Sequence, residues 1–252
     1  MLKFVNANNK LAGLAKMVGG KIISLPLLSG YSCPFAKTCF AKVVEDGQGK
    51  RTVQDGPDME TRCYSVSGEA RLTNVYNLHR ANWRALVDCG NNLDKMRDLL
   101  LSALPKKFDY VRIHTDGDFF TKNYFMAWLE VCKSHPSKVF YAYTKSLPFW
   151  VYAKDRGLMP DNLIMTASYG GKRDDLIEPN GLRYCKIVES IEQAAELGLV
   201  VDEFDSQAAL PSLRNVNFAL LVHGSQPAGS KWGKAVRKLK GKGSYGPKTT
   251  KV

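Results

Sequence analysis

Tyr110-Val-Arg-Ile-His-Thr-Asp-Gly-Asp, residues 110–118, followed by Asn123 to Ser134 and then by Val139-Phe-Tyr-Ala-Tyr-Thr, is the stretch that decides the fold. Tyr110 to His114 is rich in β-branched and aromatic side chains and reads as a strand. Thr115 to Asp118 is a polar turn. Asn123 to Ser134 then sets Tyr124, Trp128, Val131 and Cys132 on one face at helical spacing, and Val139 to Thr144 is a second strand. A strand, a helix and a strand in this order form a βα crossover, which joins parallel neighbours.

The same alternation extends in both directions. Toward the C-terminus come a short helix near Pro148 to Arg156 and three strands, Asn162 to Ala167, Tyr184 to Val188 and Phe218 to His223. Toward the N-terminus, Lys21 to Pro26 reads as a strand. Leu72, Val75, Tyr76, His79, Trp83, Leu86 and Val87 mark a helix, and Asn91 to Ala103 marks another. The expectation is an α/β protein whose repeated βα units form a largely parallel sheet, either open or an incomplete (β/α) barrel. A chain of 252 residues suits one domain. We place it over residues 1–230, with a cysteine-bearing loop over 27–64 and a basic, flexible tail over 231–252.

The charge is unevenly placed. Residues 231–252 hold eight Lys or Arg and no acid, so subtracting eight from the net charge of +12 leaves +4 for the rest. Lys231, Trp232, Lys234, Arg237, Lys238, Lys240 and Lys242 interleave cations with an aromatic ring, a pattern suited to phosphate neutralisation and base stacking. A solvated terminus that only aids solubility explains the same composition. No window approaches the ~20 apolar residues of a membrane span, and the N-terminus lacks the order of a signal peptide. A cytoplasmic protein without a membrane partner is expected, in a compartment that keeps thiols reduced.

Three of the six cysteines stand apart. Cys89, Cys132 and Cys185 fall in helical or apolar stretches and read as small buried hydrophobes. Cys33, Cys39 and Cys63 lie among Gly, Ser, Pro, Lys and Thr in the loop behind the first strand, where a shared metal or iron–sulfur site competes with packing as the explanation. A bound metal would also account for the length of that loop.

Polar groups recur where strands end: His114, Asp116 and Asp118; Thr144 and Lys145; Ser168 and Gly170-Gly171; Glu189; His223 and Ser225. In parallel α/β folds these ends surround one crevice, so they read as the lining of an active site. Each has a plainer explanation. Asp116-Gly117-Asp118 suits a turn that caps the helix beginning near Thr121, His114 suits a hydrogen-bonded core histidine, and Lys145 suits a surface charge.

The segments Ser24-Leu-Pro-Leu-Leu-Ser-Gly-Tyr-Ser-Cys-Pro, Val111-Arg-Ile-His-Thr-Asp-Gly-Asp-Phe-Phe, Phe140-Tyr-Ala-Tyr-Thr-Lys-Ser and His223-Gly-Ser-Gln-Pro-Ala-Gly resemble the phage "gene product 88" domain family over roughly Ser24 to Gly229. A phage origin implies the cytoplasm of the bacterial host. More distantly, an early strand with three cysteines after it and a second strand ending in a glycine-acidic turn is similar to the radical S-adenosylmethionine enzymes. In that superfamily three thiolates hold a [4Fe–4S] cluster whose open iron takes the methionine amino and carboxylate groups, and an electron from the cluster breaks the sulfonium bond.

That resemblance implies Cys33, Cys39 and Cys63 as cluster ligands. It also implies Asp116, Gly117 and Asp118, with Ser168, at the cofactor, and His114, Asp116, Asp118 and Lys145 as the catalytic set. The spacing differs: five and then 23 residues separate the cysteines here, where the superfamily usually has three and two. Two other classes stay open. One is a nucleic-acid-binding accessory protein with structural zinc, Cys185 or His114 serving as fourth ligand. The other is a nuclease holding Mg²⁺ or Mn²⁺ on His114, Asp116 and Asp118.

Overall fold

The computed structural model describes residues 2–7 and 9–240. Its centre is an eight-stranded sheet among those residues, built from β1 (Val5–Asn6), β2 (Ile22–Ser24), β5 (Tyr110–Arg112), β6 (Val139–Thr144), β7 (Leu163–Ser168), β8 (Tyr184–Val188), β9 (Val200–Val201) and β10 (Phe218–Leu221). The spatial order is β1-β2-β5-β6-β7-β8-β10-β9. β1 pairs with β2 antiparallel, and every other neighbour is parallel. The expected parallel βα sheet is therefore present. It is open, with β1 and β9 at its edges, and among the described residues no pairing closes it into a barrel.

Six strands, β2 to β10 without β9, follow one another in chain order across the sheet. Consecutive order with crossovers of one hand stacks the connecting helices on one face. Against that face lie α3 (Thr73–Val87), α4 (Leu93–Ala103), α5 (Lys122–Lys133) and α6 (Leu147–Asp155). They meet Ile23, Val111, Phe140, Ala142 and Met165 around the fully buried Trp128 in the main core. Helix α5 is capped by Thr121, whose Oγ1 accepts from the Tyr124 amide at 3.2 Å, so the acidic turn at 116–118 is left for other work.

The opposite face alternates with it, as the two-residue strand period requires. At its amino end, α1 (Asn9–Val18) and α8 (Ser206–Ala209) pack on Ile22, Tyr141, Ile164, Cys185 and Phe218. A buried ion pair pins α8 there: Arg112 Nη1 lies 2.6 Å from Asp205 Oδ2, which also accepts from the Tyr141 hydroxyl at 3.2 Å. The other end of this face is open and forms the cavity described below.

Residues 27–64 are more ordered than an irregular loop. Between Cys39 and Cys63 stands a hairpin of β3 (Ala41–Glu45) and β4 (Arg51–Asp55), with Val43 opposite Val53. It is followed by α2 (Ser65–Arg71). The remaining helices are α7 (Ile191–Glu196) and α9 (Lys231–Leu239). The start of the expected flexible tail is thus a helix whose Ala235 and Leu239 are buried among Val188, Leu221 and Val222. Lys240 lies just beyond it, and Lys242 falls outside the described residues. No described helix is long and apolar enough to cross a membrane.

Candidate functional site

A cavity of about 530 Å³ opens at the carboxyl ends of the parallel strands, within the usual size range for small-molecule sites. Cys33, Cys39 and Cys63 all line it. So do Asp116, Gly117, Asp118 and Lys145, with Ser168 and His223 further round. An apolar wall of Ile187, Leu220 and Leu221 completes the ring. Cys132 and Cys185 are instead buried in separate apolar clusters, and Cys89 packs beside the main core, as their sequence context implies.

The backbone explains how thiols so far apart in sequence share one wall. Hairpin β3–β4 doubles the chain back, and at its open end the Gly56 amide donates to Phe40 O at 2.8 Å. Glu60 and Thr61 amides then donate to Thr38 O at 2.8 and 3.0 Å, which sets the Cys63 arm beside the Cys39 arm. The 23-residue gap is therefore mostly a self-closing hairpin. A long insert of this kind adds little closure entropy.

Strand ends clamp both arms. After β7, Gly170 O accepts from the Lys37 and Thr38 amides at 3.1 and 3.0 Å, and the Lys172 amide donates to Phe35 O at 2.8 Å. After β10, the Gln226 side chain pairs with the Arg62 backbone like a ladder rung, Oε1 accepting from Arg62 N at 2.8 Å and Nε2 donating to Arg62 O at 2.9 Å. Gly224 makes that approach possible: its φ is +77°, and a Cβ there would lie 2.8 Å from Tyr64 Cα. His223 packs in a tilted arrangement on Tyr64 with ring centroids 4.7 Å apart, and the Tyr64 hydroxyl donates to Thr115 O.

The acidic turn is locked to the same loop. Leu27 N donates to Asp116 O at 2.8 Å, and Gly117, at φ +87°, would carry a Cβ 2.4 Å from Ser32 Oγ. Asp118 is spent on structure. Its Oδ1 accepts from Thr144 Oγ1 at 2.6 Å and from the Phe119 amide at 2.7 Å, while Oδ2 accepts from the Lys145 amide at 2.7 Å. Burial pushes its pKa up to about 6 in spite of these donors. Lys145 Nζ donates to Ser168 O, Ser168 Oγ and Tyr169 O at 2.9, 2.8 and 2.6 Å. All three acceptors are neutral, so a positive charge is held at the cavity wall without being cancelled by them. Ser168 thus serves as an anchor for Lys145.

His114 lines the cavity but is almost wholly buried. Its ring lies among Phe119, Tyr124 and Trp128, its Nε2 is 3.0 Å from the Tyr124 hydroxyl, and burial with the nearby Arg112 charge lowers its pKa to about 3. At neutral pH the ring is held uncharged, and both oxygens of Asp118, the other residue expected beside it and Asp116 to hold Mg²⁺ or Mn²⁺, already accept hydrogen bonds. Of the two fourth ligands expected for zinc, Cys185 lies in a separate apolar cluster, while His114 lines the cavity with its ring against Phe119, Tyr124 and Trp128.

Burial raises the Cys33 thiol well above its usual range, with Asp118 and the two neighbouring thiols adding to it. Cys63 is pushed up to about 12, first by burial and then by Cys39. The three sulfurs thus feel one another. Among the described residues, no three His, Cys, Asp or Glu side chains are gathered tightly enough to hold one metal ion.

Sequence reasoning missed Glu69 and His79. Glu69, on α2 and fully buried, accepts through Oε1 from Ser29 N at 3.0 Å and from Ser65 Oγ at 3.2 Å, and meets His79 Nδ1 at 2.8 Å. His79, on α3, turns its Nε2 toward Asp116 Oδ2 at 3.7 Å. His79 fell within a helical apolar stripe, and no local signal marks its link to a turn 37 positions on.

Fold and site together define a consecutively ordered βα protein with a thiol-lined cavity at the carboxyl ends of its strands. The chain belongs to the Gene product 88 family, whose model matches residues 2–240. It is 31% identical over 158 residues to the Gene 88 protein of Mycobacterium phage L5, covering 62% of this chain and 58% of that protein. It is 26% identical over 216 residues to the Gene 88 protein of Mycobacterium phage D29, covering 84% and 80%. No solved structure matches the chain.

Proposed function

We propose that this protein is a phage-encoded iron–sulfur enzyme of the radical S-adenosylmethionine kind, working in the host cytoplasm on a nucleotide or nucleic acid. The observation that carries the reading is the convergence of Cys33, Cys39 and Cys63 on one cavity that the Asp116-Gly117 turn also lines, at the mouth of a sheet whose central strands run in chain order.

The donor set fits such a group. Three soft thiols in an apolar-walled pocket suit iron–sulfur ligation, and the raised pKa values of Cys33 and Cys63 mean that loading a metal expels protons. A lone zinc, about 2.3 Å from each sulfur, needs the thiols gathered more closely than they are. A four-iron cluster spreads its thiolates over separate corners and tolerates wider spacing. When bound, the cluster would supply the single electron for reductive cleavage of S-adenosylmethionine.

The chain's own residues would do the rest. Asp116 and the Gly117 backbone present an acceptor edge to an ammonium group, while the Lys145 charge balances a carboxylate. Asp118 holds the ends of β5 and β6 in register for both. Ile187, Leu220 and Leu221 would keep water from their part of the cavity. The exposed cations of α9, Lys234, Arg237 and Lys238, offer a phosphate-facing row for a nucleic-acid substrate.

The test is metal analysis with absorption spectroscopy on protein purified without oxygen, before and after reconstitution with iron and sulfide. About four irons per chain with a broad band near ~400 nm, followed by S-adenosylmethionine cleavage under a reductant, support the reading. Stoichiometric zinc, or no metal after reconstitution, overturns it.

A further inference from the structure

Deepening that reading, and resting on it for the identity of the ligand, we infer that His79 is a positioning residue: braced by Glu69, it fixes the Asp116 carboxylate as the acceptor for an ammonium group bound in the cavity. The argument starts from Glu69. A carboxylate with no exposed surface is costly unless donors surround it, and here Oε1 gathers Ser29 N, Ser65 Oγ and His79 Nδ1. Those three come from the start of the cysteine loop, the residue two beyond Cys63, and a separate helix. Among the described residues Glu69 Oε2 has no hydrogen-bond partner, so all of its donors meet Oε1.

The imidazole transmits that arrangement. With Nδ1 facing a carboxylate, its proton lies on that side, and Nε2 is the atom that meets Asp116. A neutral ring of that tautomer would turn a lone pair toward Asp116 and repel it, whereas the doubly protonated ring donates to Glu69 and pairs its charge with Asp116 at 3.7 Å. Burial works against the charge, but the Glu69 hydrogen bond and the Asp116 charge raise the pKa of His79 above its ordinary value. Glu69, His79 and Asp116 then sum to one negative charge, and Asp116 is the member that lines the cavity. The backbone fixes Asp116 from the other side through Leu27 N. Its side chain is therefore held from both sides, in a cavity whose apolar Ile187, Leu220 and Leu221 suit a heterocyclic ring.

The experiment uses the full reconstituted chain and two probes: S-adenosylmethionine, which carries the ammonium, and methylthioadenosine, which lacks the amino-acid portion. In His79→Ala and Asp116→Asn, S-adenosylmethionine should bind at least about tenfold more weakly, the loss of a charge-assisted contact. Methylthioadenosine binding and iron content should be unchanged, and the double variant should be no worse than the worse single one. Loss of iron in His79→Ala, equal weakening of both probes, or additive losses would make the role structural and overturn the inference.

A second readout separates failure of the inference from failure of the functional reading. In metal-free protein, the ¹⁵N shifts of His79 should report a doubly protonated ring at neutral pH and should move in Asp116→Asn. If wild-type protein binds neither probe, the cofactor reading fails while that shift still decides the contact. An unmoved His79 signal overturns the inference whatever the ligand proves to be.

Discussion

The cysteine loop and helix α9 are held to the same sheet by opposite means. Residues 27–64 are fixed by backbone and side-chain hydrogen bonds from β7, β10 and the turn after β5, each made to a defined atom. Helix α9 is held by two buried side chains, Ala235 and Leu239, and by a surface ion pair between Lys231 and Glu189. Directional bonds fix position to fractions of an ångström, whereas a small apolar contact fixes only proximity. The loop is therefore built as a site and the helix as a surface. The comparison breaks if disturbing the two regions has similar consequences.

The largest expected effect is on metal. Cys33→Ala, Cys39→Ala or Cys63→Ala should each abolish retention of reconstituted iron, whereas Cys89→Ala, whose Sγ only donates to Ala85 O on its own helix, should keep it. Iron counted per folded chain checks this. Equal retention in all four variants would return the three thiols to packing.

Next comes the clamp. Gly224→Val puts a β-branched residue at φ +77° and drives a Cβ into Tyr64, for a stability loss of about 3 kcal/mol from strain and overlap together. Gln226→Ala keeps the backbone and removes only the pairing to Arg62, so it should lower iron retention while costing less stability. Chemical denaturation beside iron content distinguishes the two. A Gln226→Ala protein with full iron would show that the Cys63 arm needs no clamp.

A third effect has a pH signature. Asp118 is buried with its pKa raised to about 6, above the ~3.9 of an unfolded aspartate. The fold therefore prefers its protonated form. That preference is fully expressed below about pH 4 and is lost as pH rises to about 6, a change of roughly 3 kcal/mol. Asp118→Asn has no such titration. Whatever the constant offset from its altered hydrogen bonds, its stability relative to wild-type metal-free protein should improve as pH rises from about 4 to 6. A flat difference across that window would mean that the three donors set the acid's pKa and burial does not.

How much of this was legible follows from the range of each interaction. The strands from β5 to β10, β9 excepted, show as apolar runs because both of their faces are covered. The cavity lining follows from where those runs stop. The hairpin inside the cysteine loop had a local signal, Ala41-Lys-Val-Val-Glu and Arg51-Thr-Val-Gln-Asp around a Gly-Gln-Gly turn, which reading the segment as irregular passed over. The pairs that decide which polar residues work had none. Arg112 finds Asp205 across 93 positions, His79 finds Asp116 across 37, and Asp118 looks from sequence as free as Asp116. Only the folded backbone shows that, of the two acids lining the cavity, Asp118 has both oxygens engaged by the strand ends.

The smallest effect on folding belongs to α9, and it sharpens the contrast most. Lys234, Arg237 and Lys238 are exposed, and no apolar contact of the helix depends on their charge. Replacing all three by Gln should change stability by no more than about 0.5 kcal/mol. If the helix meets phosphates, the same variant should bind a single-stranded oligonucleotide more weakly. Its plot of log affinity against log salt should also flatten by about 0.7 for each lost contact. An unchanged salt slope would leave the basic face a solvated surface, and the substrate would then have to be recognised by the cavity alone. In that case the cavity's volume of about 530 Å³ points to a mononucleotide-sized ligand rather than a polymer.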